Sequence, residues 1–380
     1  AMLVVLGSLL QPLQTWAESA LTLATAVERS LATSPRLRLS EHERQVEEGR
    51  LRQAGVRPRL GLDLEVENFL GSNFYEGFDN SETTLSLVWI LERGKRQHRL
   101  DAAQAAVDAT DMAAEVRRLE VAADTADAFL KVLLDQELLL LAKEGVRLGE
   151  EARSVVAERV GVGRSSSIDL ARVEADLAWR QLAEEDVSHE LLVSKRALAA
   201  RWGADRVDFA AVTGDLGNHP PIDSFADLLA RLASSPGINQ YLTRGRVRQA
   251  ELALAESQAK QDWQLRTGAR YHGFADEVAL VAGISLPLGR ANPNVGRIDS
   301  ARAEVALADA ELVAKRLEIE TTLFRLHQEL SQNLHMAAVI GDELIPLLES
   351  VVEQASTAYA AGRFSYFELR QAQISLFDAR

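Results

Sequence analysis

The sequence predicts a mainly α-helical fold with a small β part, in which a unit of strand, strand, long helix, turn and helix occurs twice in tandem. Three observations predict it. The chain matches itself in two halves, short stretches alternate apolar and polar residues with the period of a strand, and prolines are missing from segments far longer than a globular helix.

The self-match comes first. At an offset of 199 residues, Gly163-Arg164-Ser165-Ser166-Ser167-Ile168-Asp169-Leu170 falls on Gly362-Arg363-Phe364-Ser365-Tyr366-Phe367-Glu368-Leu369. The same register, without a gap, pairs Ser86 with Ser285, Leu87 with Leu286, Ala102 with Ala301 and Leu177 with Leu376. At an offset of 201, Val27, Leu31, Ser34 and Pro35 fall on Leu228, Leu232, Ser235 and Pro236, so each unit opens with a helix. The first repeat is placed at 18–202, a linker rich in Gly and Pro at 203–222, and the second repeat at 223–380.

Residues 1–17 hold a short apolar run and a small residue at Ala17, the pattern of a secretory leader. It lacks a basic n-region, so the natural start is expected upstream of Ala1. Residues 22–56 carry helical periodicity. From 60 to 67 the chain alternates: Leu60, Leu62, Leu64 and Val66 share one side, Gly61, Asp63, Glu65 and Glu67 the other. A loop of Gly, Asn and aromatics leads to a second strand, in which Leu85, Leu87, Trp89 and Leu91 share a side. These strands are set at about 60–68 and 83–91.

After Gly94 an Ala-, Leu-, Glu- and Arg-rich run reaches residue 160 without proline, a rod of roughly 100 Å at 1.5 Å per residue. Gly161-Val162-Gly163 reverses it into a helix over 166–202. The second repeat follows suit: an opening helix at about 223–260, strands at about 264–272 and 278–287, and long helices from about 295 that turn at Gly362. Pro346 is expected to kink this second rod. Arg380 falls on Gln181, so roughly twenty residues of the last helix are expected to follow it.

The strands have the length and alternation of outer-membrane barrel strands, lipid-facing on one side and wet on the other. Leu60, Leu62, Leu64, Val66, Leu85, Leu87, Trp89 and Leu91 are the lipid-facing set, against outer-membrane lipid. Four strands are too few to close a barrel, so several chains must share one. A soluble sheet packed on helices is the alternative.

Composition narrows the function. A net charge of −14 argues against nucleic acid, which demands clustered Lys and Arg, and the absence of cysteine excludes disulfides and thiolate metal sites. Gly161-Val162-Gly163 lacks the spacing and acidic partner of a dinucleotide loop. His327 and His335 are more than two helical turns apart, too far to chelate one ion together. No enzyme activity, cofactor or metal site is expected.

The two-unit plan, the Gly-Arg turn ahead of an acidic helix start, and Ser285-Leu286-Pro287 followed by Asn294-Val295-Gly296-Arg297-Ile298 and Ala301 resemble the outer-membrane factors of the TolC type. Glu67-Asn68-Phe69 with Leu91-Glu92-Arg93-Gly94-Lys95-Arg96 is similar to their heavy-metal cation efflux branch. The resemblance implies a homotrimer in the outer membrane of a Gram-negative bacterium, with an oligomeric α-helical barrel crossing the periplasm and a shared transmembrane β-barrel. It implies a passive conduit of a tripartite efflux system, partnered by a periplasmic adaptor and an inner-membrane pump of the resistance-nodulation-division class.

In that family, acids near the start of the inner helices gate the periplasmic mouth, and Asp169 and Glu368 match them. Arg164 and Arg363 are the basic gate candidates, and Gln371 stands where a second acid is common. Val162, Gly163, Ala361 and Gly362 match the adaptor-contact tip. Ser166-x-x-Asp169 and Ser365-x-x-Glu368 also read as capping boxes, and the two roles are compatible. Two alternatives stay open: an exported soluble helical scaffold, adaptor-like and conducting nothing, and a conduit of the same family serving drug efflux or type I protein secretion.

Overall fold

The computed structural model describes residues 20–217, 221–287 and 294–380. The leader expected at 1–17 lies outside the described residues, as do residues 218–220 of the linker. The elements run β1 (Leu21–Thr22), α1 (Leu23–Thr33), α2 (Pro35–Ala54), β2 (Gly61–Glu67), β3 (Glu82–Leu91), α3 (Lys95–Gly161), α4 (Ser167–Arg201), β4 (Val212–Thr213), α5 (Phe225–Leu232), α6 (Pro236–Gln258), β5 (Trp263–His272), β6 (Glu277–Ser285), α7 (Val295–Val339), α8 (Ile345–Ala360) and α9 (Tyr366–Ala379). The long proline-free run is one helix of 67 residues.

The opening helical stretch of each repeat is two helices, because each contains a Ser-Pro pair. Proline lacks an amide proton and drives the residue before it out of the helical region, and Ser34 accordingly has ψ 128°. In the second repeat the Ser235 side chain accepts from the Ile238 amide at 3.4 Å and Pro236 starts α6. Pro346 acts through a π-turn at Ile340–Leu344, just ahead of it. Its ring would strike the carbonyl four residues back, and the wider turn makes room.

Two compact units form, and neither is a sequence repeat. One gathers residues up to Arg38 with Arg117–Leu228 and Thr321–Arg380; the other gathers Leu39–Val116 with Leu229–Glu320.

The first unit is held by an apolar core of Leu21, Ala26, Phe129, Val132, Leu133, Leu191, Leu198, Trp202, Phe209 and Val212. Here β1 and β4 pair in parallel, a contact between segments far apart in sequence that no local pattern announces. The Gln136 side chain extends the pairing: it accepts from the Val212 amide and donates to the Val212 carbonyl, both at 2.9 Å. The second unit centres on an antiparallel sheet of order β2-β3-β5-β6, so each repeat supplies one hairpin.

Candidate functional site

The sheet has two chemically opposite faces, fixed by its register. Leu62, Leu64 and Val66 stand opposite Leu87, Leu85 and Thr83. Leu85, Leu87, Trp89 and Leu91 stand opposite Ala269, Thr267, Leu265 and Trp263. Leu265, Ala269 and Tyr271 in turn oppose Ile284, Leu280 and Val278, which completes an apolar face of four strands. Leu60, Leu62, Leu64, Val66, Leu85, Leu87 and Trp89 are exposed, and Leu91 is half-buried. A water-facing sheet would leave this surface unsatisfied, whereas lipid would cover it.

The opposite face is ionic. Arg266 reaches Asp63 at 3.4 Å and Glu65 at 3.5 Å, while Arg270 reaches Glu67 at 3.1 Å, Glu82 at 2.9 Å and the Thr84 hydroxyl at 2.8 Å. Each arginine thus ties β5 to the hairpin of the first repeat. Gly268 sits between them, and a Cβ there would come 2.3 Å from the Leu85 carbonyl oxygen and 2.7 Å from the Ser86 Cα. Only glycine lets β3 and β5 approach so closely, and such glycines give a sheet its curvature.

The motif Glu92-Arg93-Gly94-Lys95-Arg96 anchors this sheet to helices of the same unit. Arg93 and Gly94 take positive φ, 50° and 90°, to turn strand into helix. Arg93 lies over the Trp263 ring at 4.8 Å, Lys95 pairs with Asp262 at 2.9 Å, and Arg96 donates to the Gly55 carbonyl at 2.7 Å. Among the described residues β2 and β6 each have one strand neighbour, so both outer edges of the sheet keep free backbone groups.

The other region lies in the first unit, where α3 turns into α4 and α8 into α9. Both turns are Schellman motifs. Arg164 N donates to the Arg159 carbonyl at 2.7 Å and Gly163 N to Val160, and the equivalent bonds run from Arg363 to Ala358 and from Gly362 to Tyr359. Gly163 and Gly362 both take φ 72°, the left-handed conformation such a turn needs. Val162, Gly163, Ala361 and Gly362 are all exposed at these tips, as are Arg164 and Arg363.

Asp169 and Glu368 close reciprocal capping boxes. Asp169 Oδ2 accepts from the Ser166 amide at 3.2 Å while the Ser166 hydroxyl accepts from the Asp169 amide at 3.1 Å. Glu368 Oε2 accepts from the Ser365 amide at 2.7 Å, and Ser365 returns a bond of 3.4 Å. The Ser166 hydroxyl and amide hold the Asp169 carboxyl below its usual range, and the Ser365 amide and hydroxyl do the same for Glu368. Each box uses one carboxylate oxygen. Gln371 is exposed one turn further along α9.

Sequence reasoning missed the residues that join the two hairpins. Asp176 on α4 is bonded by Arg180 at 3.1 Å and also by Arg370 on α9. Arg180 also donates to the Gly145 carbonyl on α3 at 3.2 Å, so three helices meet at one carboxylate. Burial disfavours the charge on Asp176, but hydrogen bonds from Arg370 and Arg180 outweigh it and hold the carboxyl below its usual range. The partners are 194 residues apart, beyond any spacing rule. The available signal was a break in the repeat, since Asp176 and Arg370 fall on Ser375 and Ala171.

A family model described as outer membrane efflux protein matches residues 26–204. The cobalt-zinc-cadmium resistance protein CzcC of Cupriavidus metallidurans is 28% identical over 364 residues, covering 95% of this chain and 85% of that one. The nickel-cobalt-cadmium resistance protein NccC of Alcaligenes xylosoxydans xylosoxydans is 24% identical, covering 70% of this chain and 60% of that one. Among solved structures, the Campylobacter jejuni CmeC outer membrane channel superposes with a TM-score of 0.73 at 15% identity, covering 94% of this chain and 80% of that one. That likeness is one of fold.

Proposed function

We propose that this chain, which matches the outer membrane efflux protein model over residues 26–204, is one subunit of an outer-membrane channel of that family that carries divalent metal cations out of the cell as the passive part of a tripartite efflux system. The observation that carries the reading is the sheet: apolar on one face, ionic on the other, with both edges unpaired among the described residues. Three copies joined edge to edge supply twelve strands, enough to close a barrel with lipid outside and water inside.

The helices support the same assembly. All 45 residues of α7 escape burial in the single chain, and Leu307, Val313, Leu317, Phe324 and Leu330 are exposed along it. Apolar surface on that scale is covered by neighbouring copies. No described helix is long and apolar enough to cross a membrane. Resistance to cobalt, zinc and cadmium, named for CzcC, gives the cargo class. The energy comes from an inner-membrane pump and reaches the channel through an adaptor docked at Val162, Gly163, Ala361 and Gly362.

In this reading Asp169 and Glu368, equivalent by the repeat, line the inner mouth of the trimer with their free carboxylate oxygens. Arg164 and Arg363 lie beside them, and the Asp176–Arg370 pair holds the two hairpins together. Single-channel recording in planar bilayers tests the mouth: Asp169→Ala with Glu368→Ala is expected to raise conductance. Unchanged conductance would leave these acids as helix caps only, and absence of any pore from the unmodified protein would end the channel reading.

A further inference from the structure

The α3–α4 and α8–α9 turns, one from each repeat, leave between them a cleft of about 730 Å³ within the first unit. Its charge does not balance. Arg159, Arg164, Arg172 and Arg370 line it against two acids, Asp169 and Asp176. Both acids are already bonded, Asp169 by Ser166 and Asp176 by Arg180 and Arg370. Arg159 is engaged within the fold, where it donates to the Tyr359 carbonyl at 3.2 Å and lies 4.3 Å from the centre of the Tyr359 ring. Arg164 and Arg172 are exposed, and among the described residues neither side chain has an acceptor.

Two buried donors on residues that line the same cleft are unsatisfied. The hydroxyl of Tyr359, a residue only 9% exposed, and the Nε of Arg370 both lack a hydrogen-bond partner among the described residues. Buried polar groups are bonded as a rule, and a guanidinium can only donate, so what is missing beside Arg370 is an acceptor. The repeat isolates these groups. The glycines and capping boxes that make each turn recur in both halves, whereas Arg172, Tyr359 and Arg370 fall on Gln371, Val160 and Ala171. The cleft is therefore built from residues outside the shared turn motif, once in each chain.

We propose that this cleft binds a tetrahedral oxyanion, a free phosphate or a phosphomonoester group, which accepts from the Tyr359 hydroxyl and Arg370 Nε on one side and from Arg164 and Arg172 on the other. Such a ligand has acceptor oxygens on every side, and charge-assisted bonds to arginine are the strong ones. Four arginines against two carboxylates leave a surplus of two positive charges, which matches a dianion and repels metal cations. The site is thus separate from any path for cations. Because its donors come from both repeats, the bound anion ties one hairpin to the other.

Isothermal titration calorimetry of the detergent-solubilised full chain tests this, with inorganic phosphate as the probe in a phosphate-free buffer of fixed ionic strength. One site per chain with a Kd on the order of 1 mM is expected. Sulfate should compete and chloride at the same ionic strength should not, which separates a fitted site from screening. Tyr359→Phe keeps the ring and removes only the hydroxyl, and should weaken binding about tenfold, the worth of one hydrogen bond to a charged group. Arg164→Gln with Arg172→Gln, at exposed positions that leave the fold intact, should weaken it by about tenfold or more. Phosphate should also raise the melting temperature of the wild type more than that of either variant. Glycerol phosphate distinguishes the source: tighter binding than phosphate assigns the site to a phosphomonoester, equal or weaker binding to the free anion, and both support the proposal. No saturable heat up to about 10 mM phosphate, equal displacement by chloride, or binding undiminished in either variant overturns it. Calorimetry needs neither a pore nor a partner protein, and bilayer conductance reports on the channel by itself, so the two readings fail independently.

Discussion

Gly268 offers the sharpest test of the sheet. An added methyl group would lie 2.3 Å from the Leu85 carbonyl oxygen and 2.7 Å from both the Cα and the Cβ of Ser86. Ordinary contact begins near 3.4 Å, so Gly268→Ala must move backbone by about 1 Å. All three atoms belong to β3, two of them backbone and the third a Cβ fixed to it, leaving no flexible side-chain end to yield. Overpacking alone costs about 1–3 kcal/mol. Prising β5 from β3 at this point also weakens two or three ladder bonds of about 1 kcal/mol each, so a loss of about 3–5 kcal/mol is expected. Gly283→Ala is the internal control on the same sheet, because its new methyl group would meet nothing nearer than the Arg266 Cβ at 4.0 Å. The assay is thermal unfolding in detergent, followed by circular dichroism and by survival of the oligomer on gels run without boiling. If Gly268→Ala melts within about 0.5 kcal/mol of Gly283→Ala, the close approach of β3 and β5 is refuted.

The hairpin junction should behave as a coupled pair: Asp176→Asn and Arg370→Gln are each expected to cost about 2 kcal/mol, and a double-mutant cycle to show coupling above about 1 kcal/mol. Because the folded Asp176 carboxyl titrates below the ordinary aspartate value, its contribution is complete at neutral pH. It is lost only as pH falls from the unfolded value of 3.8 through the lower folded one, which an acid titration of the melting temperature in wild type and Asp176→Asn will show. Ser166→Ala and Ser365→Ala should each cost about 1 kcal/mol through loss of a cap, read as faster amide exchange in the first turns of α4 and α9. Gly163→Ala and Gly362→Ala, at φ 72°, should each cost about 1 kcal/mol in the same exchange experiment.

What the sequence made legible was whatever is periodic and local. Alternation from Leu60 to Val66 and from Leu85 to Leu91 places one apolar side per strand, and the fold contains β2 and β3 over the same stretches. The proline-free run after Gly94 is one helix because nothing in it removes a donor. The repeat identified the Gly-Arg turns and the capping boxes as one device used twice. Ser-Pro breaks were legible in principle, yet the helical periodicity on both sides concealed the division at Ser34 and Ser235.

Pairings across long sequence separations stayed hidden. The parallel contact of Leu21 with Val212 involves two residues a side, too few to show a period. Arg266 and Arg270 read as ordinary strand charges until the register sets them against Asp63, Glu65, Glu67 and Glu82. Gly268 gave no signal, since a close backbone approach is a property of two strands and not of one.

The central claim is that β2 of one copy pairs with β6 of the next and that three copies close the ring. Because the chain has no native cysteine, engineered pairs report cleanly. The decisive measurement combines Cys at Leu64 on β2 with Cys in turn at Val278, Leu280, Ala282 and Ile284 on β6, oxidised in outer-membrane vesicles and run on denaturing gels. The account predicts that at least one combination yields covalent bands ending at three chains. A ladder ending at two chains, one running on past three, or no cross-linking in any combination would contradict it.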